Sequence, residues 1–209
     1  MYDFSVPMAL ADYVPVVIFA VVAAILQRDL YNKMPKYALA CFAAGTVNAF
    51  TAGFLKATWK LLYAAGICDF HVLNIMFLPT QSLGLLLTGF GILLMLGTRK
   101  HTALAVAPPL FQGTLVFVAM MVLGLGAMCG GLGVLAVKMK KKRLIPVFSL
   151  CFLCYMAMGY LASRDVATAV MNWVEQGVNC LGQILLLVGT LVLHRAGLRE
   201  FDLSADQTE

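Results

Sequence analysis

The chain has 209 residues, of which 62% are hydrophobic and 12% charged, with a mean hydropathy of +0.90. A soluble domain is about half apolar and about a quarter charged, so this composition excludes a water-soluble fold and fits lipid as the solvent. The net charge of +5 comes from Lys and Arg clustered between apolar runs. That pattern orients membrane helices and gives no ground for a nucleic-acid partner.

Each apolar run must satisfy its own backbone in hydrocarbon, so each reads as a helix. The runs do not alternate as barrel strands would. The expected fold class is therefore an all-α polytopic membrane helix bundle, a single membrane domain over 1–209. The N-terminus carries Asp3 and Asp12 and no Lys or Arg. No cleavable signal peptide is expected there, and the first span serves as the targeting signal.

In chain order, the first span covers about Ala9–Leu26 and ends at the basic loop holding Arg28, Lys33 and Lys36. The second covers about Tyr37–Leu55, with Lys56, Trp59 and Lys60 behind it as an interfacial anchor. The third covers about Val72–Leu96 and stops at Arg99, Lys100 and His101. An uncharged stretch, Thr102–Val137, follows and runs up to the basic segment Lys138–Arg143. The next span covers about Leu144–Ala162, the last about Ala167–Leu193, and residues 198–209 form a polar tail.

An internal repeat relates the two halves, at about 9–100 and 124–197. At a fixed offset of 98, Asn74 meets Asn172, Leu83–Gly84 meets Leu181–Gly182, Gly91 meets Gly189, and polar Gln81 meets polar Asn179. Gly53–Phe54–Leu55 resembles Gly159–Tyr160–Leu161 at an offset of 106. Each half thus reads as a three-helix unit.

The stretch Thr102–Val137 decides the span count. Two helices there, with a tight turn near Val122–Gly126, make seven spans as 3+1+3 parallel repeats. One helix makes six spans as 3+3 inverted repeats. Seven spans put twelve Lys and Arg on one side and three on the other. Six spans divide them nine to six. The positive-inside rule prefers seven, with the N-terminus outside and the C-terminus cytoplasmic, in the plasma or inner membrane.

A 3+1+3 arrangement resembles the SWEET-type sugar transporters and the vitamin transporters of similar architecture. Those proteins often carry a Pro-Gln dipeptide. Here Pro79–Thr80–Gln81 stands on the third span. The resemblance is one of architecture, implies a transporter, and carries over no residues.

The last span holds Asn172, Glu175, Gln176, Asn179 and Gln183. Their spacing puts all five on one helical face. Asn74, Gln81 and Thr88 form a thinner stripe on the matching helix. Polar groups in hydrocarbon are costly unless they meet a partner or a cavity. Two such stripes facing across a repeat axis suit a transporter site for a small polar solute, uncharged or cationic. The bland alternative is interhelical hydrogen bonding, at roughly 0.6–2 kcal/mol per group. Glu175 is the carboxylate well inside a span, a candidate for proton coupling or cation binding.

Cys151 and Cys154 read as core, since neither a second pair nor a nearby His completes a metal site. His71, His101 and His194 each stand alone at a span end. No cofactor and no metal is expected. Phosphate-loop and nucleophile-elbow motifs are absent from the sequence. The leading function is a small-molecule transporter or substrate-binding membrane subunit. The alternatives are a non-transporting sensor or scaffold, and an intramembrane lipid-modifying enzyme using Glu175. The lipid bilayer is the certain partner, and a second copy or another membrane subunit is compatible.

Overall fold

The computed structural model describes residues 4–97, 114–162 and 169–203, and the described residues are helical without strands. In chain order they form α1 (Val6–Ala11), α2 (Tyr13–Leu30), α3 (Lys36–Ala64), α4 (Val72–Ile75), α5 (Phe77–Leu96), α6 (Thr114–Lys138), α7 (Ile145–Ala162) and α8 (Ala169–Arg195). Five rods are long and apolar enough to cross a membrane: Val6–Leu30, Lys36–Ala64, Val72–Leu96, Leu115–Lys138 and Val170–Arg195. The chain is a multi-pass membrane protein. The apolar α7 packs beside α6 and α8 as a further rod.

Two rods are broken near one end, and proline explains both breaks. Pro15 has no N–H for the carbonyl of Ala11, and the chain breaks at Asp12 between α1 and α2. Pro79 does the same to Ile75, and the break falls at Met76 between α4 and α5.

The rods close into a ring. Each packs on its neighbours in chain order, and α8 returns to pack on α2. Tyr13 meets Thr58 and Gln27 meets Thr46, so α2 and α3 run antiparallel. Gly45 lies against Gly84 and Thr88, and Gly91 against Ala38 and Phe42, so α3 and α5 are antiparallel too. By contrast, Gly124 abuts Leu85 and Gly131 abuts Ile92, which makes α5 and α6 parallel. Gln176 reaches Ala11 and His194 reaches Asp29, so α2 and α8 are also parallel. Gly182 packs on Cys154 and Gly189 on Phe148, which sets α7 against α8. Each half therefore runs up, down and up in the same sense. Gly97 and Thr114 lie at opposite ends of the bundle, called below the Lys36 end and the Asp12 end.

The turn expected near Val122–Gly126 is not there, because α6 is continuous through it. Glycine serves close approach instead. A Cβ at Gly124 would lie 2.4 Å from the Leu85 carbonyl, and one at Gly45 would lie 2.4 Å from the Thr88 nitrogen. Small residues let helix backbones touch where lipid supplies no hydrophobic drive between them. The second span is longer than expected. It continues as α3 past Leu55 to Ala64 and carries Lys56 and Lys60 within the helix.

The buried core fills the Lys36 half of the ring. Each of its six rods contributes to it, through Leu26, Phe42, Ile92, Leu132, Phe148 and Leu186. The other half holds a cavity.

Candidate functional site

The cavity has a volume of about 160 Å³ and draws its walls from all six rods. Drug-sized sites run to roughly 300–1,000 Å³, so this one suits a small solute. Its floor is made by Phe19, Leu85, Leu125 and Tyr155 beside Gln183. Toward the Asp12 end it is charged, with Asp12, Lys56, Lys60 and Glu175.

Six of the seven expected residues come together here: Gln81, Asn172, Glu175, Gln176, Asn179 and Gln183. The helical period explains the five on α8, since one face of that helix turns inward. Gln81 faces them because α5 and α8 occupy opposite positions in the ring. Asn74 is not brought in. It sits half-buried in α4, beyond the break at Met76 that interrupts the helical register. Thr88 is buried below the cavity, where its hydroxyl donates to the Gly84 carbonyl at 2.8 Å.

The six differ in what they are free to do. Gln176 is committed to structure. Its amide donates to the Ala11 carbonyl at 2.6 Å, the acceptor that Pro15 leaves open. Gln81 Oε1, Glu175 Oε1 and Gln183 Oε1 are buried with no hydrogen-bond partner among the described residues. Gln183 is 9% exposed. All three line one polar cavity, where they present acceptors to whatever donor occupies it, water or a ligand.

Asp12, Lys56 and Lys60 join the site without having been foreseen as part of it. Lys60 pairs with Asp12 at 2.8 Å, with both side chains almost wholly buried. Lys56 places its ammonium 4.2 Å from the centre of the Phe77 ring. The i, i+4 spacing of the two lysines was the signal that they share a helix face. Reading them as an interfacial anchor assumed that the helix stopped at Leu55.

Two of the histidines expected to stand alone have close neighbours. His194 does not stand alone, because it meets buried Asp29 at 2.7 Å and Arg28 at 3.0 Å across the α2–α8 seam. Asp69 accepts from Trp59 Nε1 at 2.9 Å, and His71 sits edge-on to the Trp59 ring at 5.8 Å. This contact ties the loop after α3 to the end of that helix. Cys151 Sγ donates to the Gly182 carbonyl at 3.3 Å, in keeping with a core role. No metal-binding group of three or more His, Cys, Asp or Glu occurs among the described residues.

Comparison with protein-family models, curated proteins and solved structures returned no match.

Proposed function

We propose that this protein is a membrane carrier, or a substrate-binding membrane subunit, for a small polar solute held in the central cavity. One observation carries the reading. A cavity walled by all six rods keeps three buried oxygens unmet, one from the first half of the chain and two from the second. Helix packing pairs Gln176 and Gln27, whereas these three oxygens face the cavity. The cavity also lies between the two three-helix units, where carriers built from repeats hold their solutes.

Seven crossings in the order three, one, three follow from the same reading. The extra crossing was expected within Thr102–Val137, whose first part lies outside the described residues. The parallel course of α5 and α6, with Gly97 and Thr114 at opposite ends of the bundle, supports an odd number of crossings. The parallel course of α2 and α8 supports it independently. Among the described Lys and Arg, ten lie at the Lys36 end and two, Lys56 and Lys60, lie toward the Asp12 end. That bias orients the Lys36 end to the cytoplasm and the Asp12 end to the outside.

Uptake in proteoliposomes tests the function. A labelled panel of amino acids, amides, sugars, polyols and vitamins should contain at least one solute taken up saturably. Gln183→Leu should abolish that uptake in a protein that still folds. If no solute is taken up and none shifts Tm, the carrier reading fails and the stripes are packing contacts. An impermeant label on each terminus tests the topology, with labelling expected outside at the N-terminus and inside at the C-terminus.

A further inference from the structure

The carrier reading leaves the solute's chemistry open, and the charges of the cavity narrow it. Two lysines and two carboxylates line it. Asp12 and Lys60 close on each other at 2.8 Å. Lys56 and Glu175 form no ion pair within 4 Å among the described residues, although Lys56 lies in the electrostatic field of Glu175 and Asp12. Phe77 lies under the Lys56 ammonium, and Glu175 Oε1 is buried and unmet. Charges drawn out of water need an opposite charge or hydrogen bonds to offset the loss. A solute with a net charge would satisfy one of these two groups and leave the other unmatched. A neutral solute carrying both charges satisfies both.

Depth orders the contacts. Thr58 is level with Tyr13, and Ala11 with Gln176, so Lys56 lies about one helical turn deeper than Glu175. Gln183 lies eight residues beyond Glu175 on α8, about 12 Å deeper at 1.5 Å per residue. From the Asp12 end inward the cavity offers a carboxylate, an ammonium, and then the unpartnered oxygens of Gln81 and Gln183. Those oxygens accept hydrogen bonds from hydroxyl or amide donors.

We propose that the cavity binds a polar α-amino acid as its zwitterion, with the ammonium at Glu175, the carboxylate at Lys56 and a donor-bearing side chain at Gln81 and Gln183. The assignment rests on the carrier reading and adds the substrate class. It requires N–H donors as well as charge.

The test uses the full chain, in detergent for binding and in proteoliposomes for uptake, with L-serine and L-glutamine as probes. Four comparison solutes each remove one feature. Serine methyl ester lacks the carboxylate, and N-acetylserine lacks the ammonium. Glycine betaine keeps both charges without an N–H, and glucose has neither charge. At least one free amino acid should bind saturably, with its ester and N-acetyl forms weaker by about thirtyfold or more. Glycine betaine and glucose should not compete. Lys56→Met should weaken the free amino acid to the level of its ester while leaving the ester unchanged. Because the analogues are compared on the unaltered protein, the result stands even if a variant fails to fold. Equal binding of the ester, the N-acetyl form or betaine overturns the zwitterion assignment. Uptake of another solute with neither amino acid bound also overturns it, and leaves the carrier reading standing. No binding and no uptake of any solute overturns both.

Discussion

At the Lys36 end, polar groups are met as they are buried. Asp29 is fully buried and takes both His194 and Arg28. Lys33 donates to the carbonyls of Arg199 and Phe201, which fastens the segment after α8 onto the loop after α2. Between these contacts and the cavity floor lies the apolar layer contributed by the six rods. Thr190 Oγ1 is an exception, buried without a partner, and nothing in the structure explains it. Toward the Asp12 end the chain buries one carboxylate oxygen and two amide oxygens that have no hydrogen-bond partner among the described residues, with a lysine lining the same cavity. The difference teaches that buried acceptors without a partner among the described residues gather at the cavity, and the proposed carrier function rests on that asymmetry.

The largest break in this contrast should come at the level of the cavity floor. Gly124→Leu puts a side chain where even a Cβ meets the Leu85 carbonyl at 2.4 Å. Parting α5 from α6 should cost roughly 3 kcal/mol or more, read as loss of the monodisperse peak in detergent. At the Lys36 end, Asp29→Ala leaves His194 and Arg28 without their acceptor. A loss of about 1–3 kcal/mol is expected, measured as a lower Tm.

The opposite sign is expected at the Asp12 end. Gln183→Leu removes an unmet acceptor and should raise stability by about 1 kcal/mol while abolishing solute binding. A lower Tm for this variant would mean that the amide has a structural partner and would collapse the contrast. The smallest effect concerns pH. Burial holds the Lys33 ammonium below its ordinary value, against the pull of Asp202, Glu200 and Asp29. The unfolded chain then holds this proton more firmly than the folded one. This contribution to stability therefore grows as pH rises from the lowered value toward 10.5. Tm followed across that window should rise relative to Lys33→Met, which has no proton to lose.

The α8 stripe was legible because helical periodicity is local. Five polar residues at that spacing share a face in any helix, and α8 turned it inward. Gln81 was legible through its match with Asn179. Asn74 does not line the cavity, because Pro79 breaks the register that the match assumed. Lys56 and Lys60 were misread because a lysine stem beside a membrane surface can reach water or turn inward, and only neighbouring helices decide which. The glycines of α6 fit a turn as readily as a close contact. Leu85 and Ile92, far away in sequence, determined the contact.

By itself, the sequence determined that the chain is a membrane protein, that its spans are helices, where most of them lie, and which face of the last is polar. Those properties follow from composition and from periods shorter than one helix. The tertiary structure decided the rest, because contact is not local. It ran α5 and α6 side by side in one direction and joined Asp29 to His194 across 165 residues. It assigned Gln176 to a backbone carbonyl and left Glu175 open to the cavity.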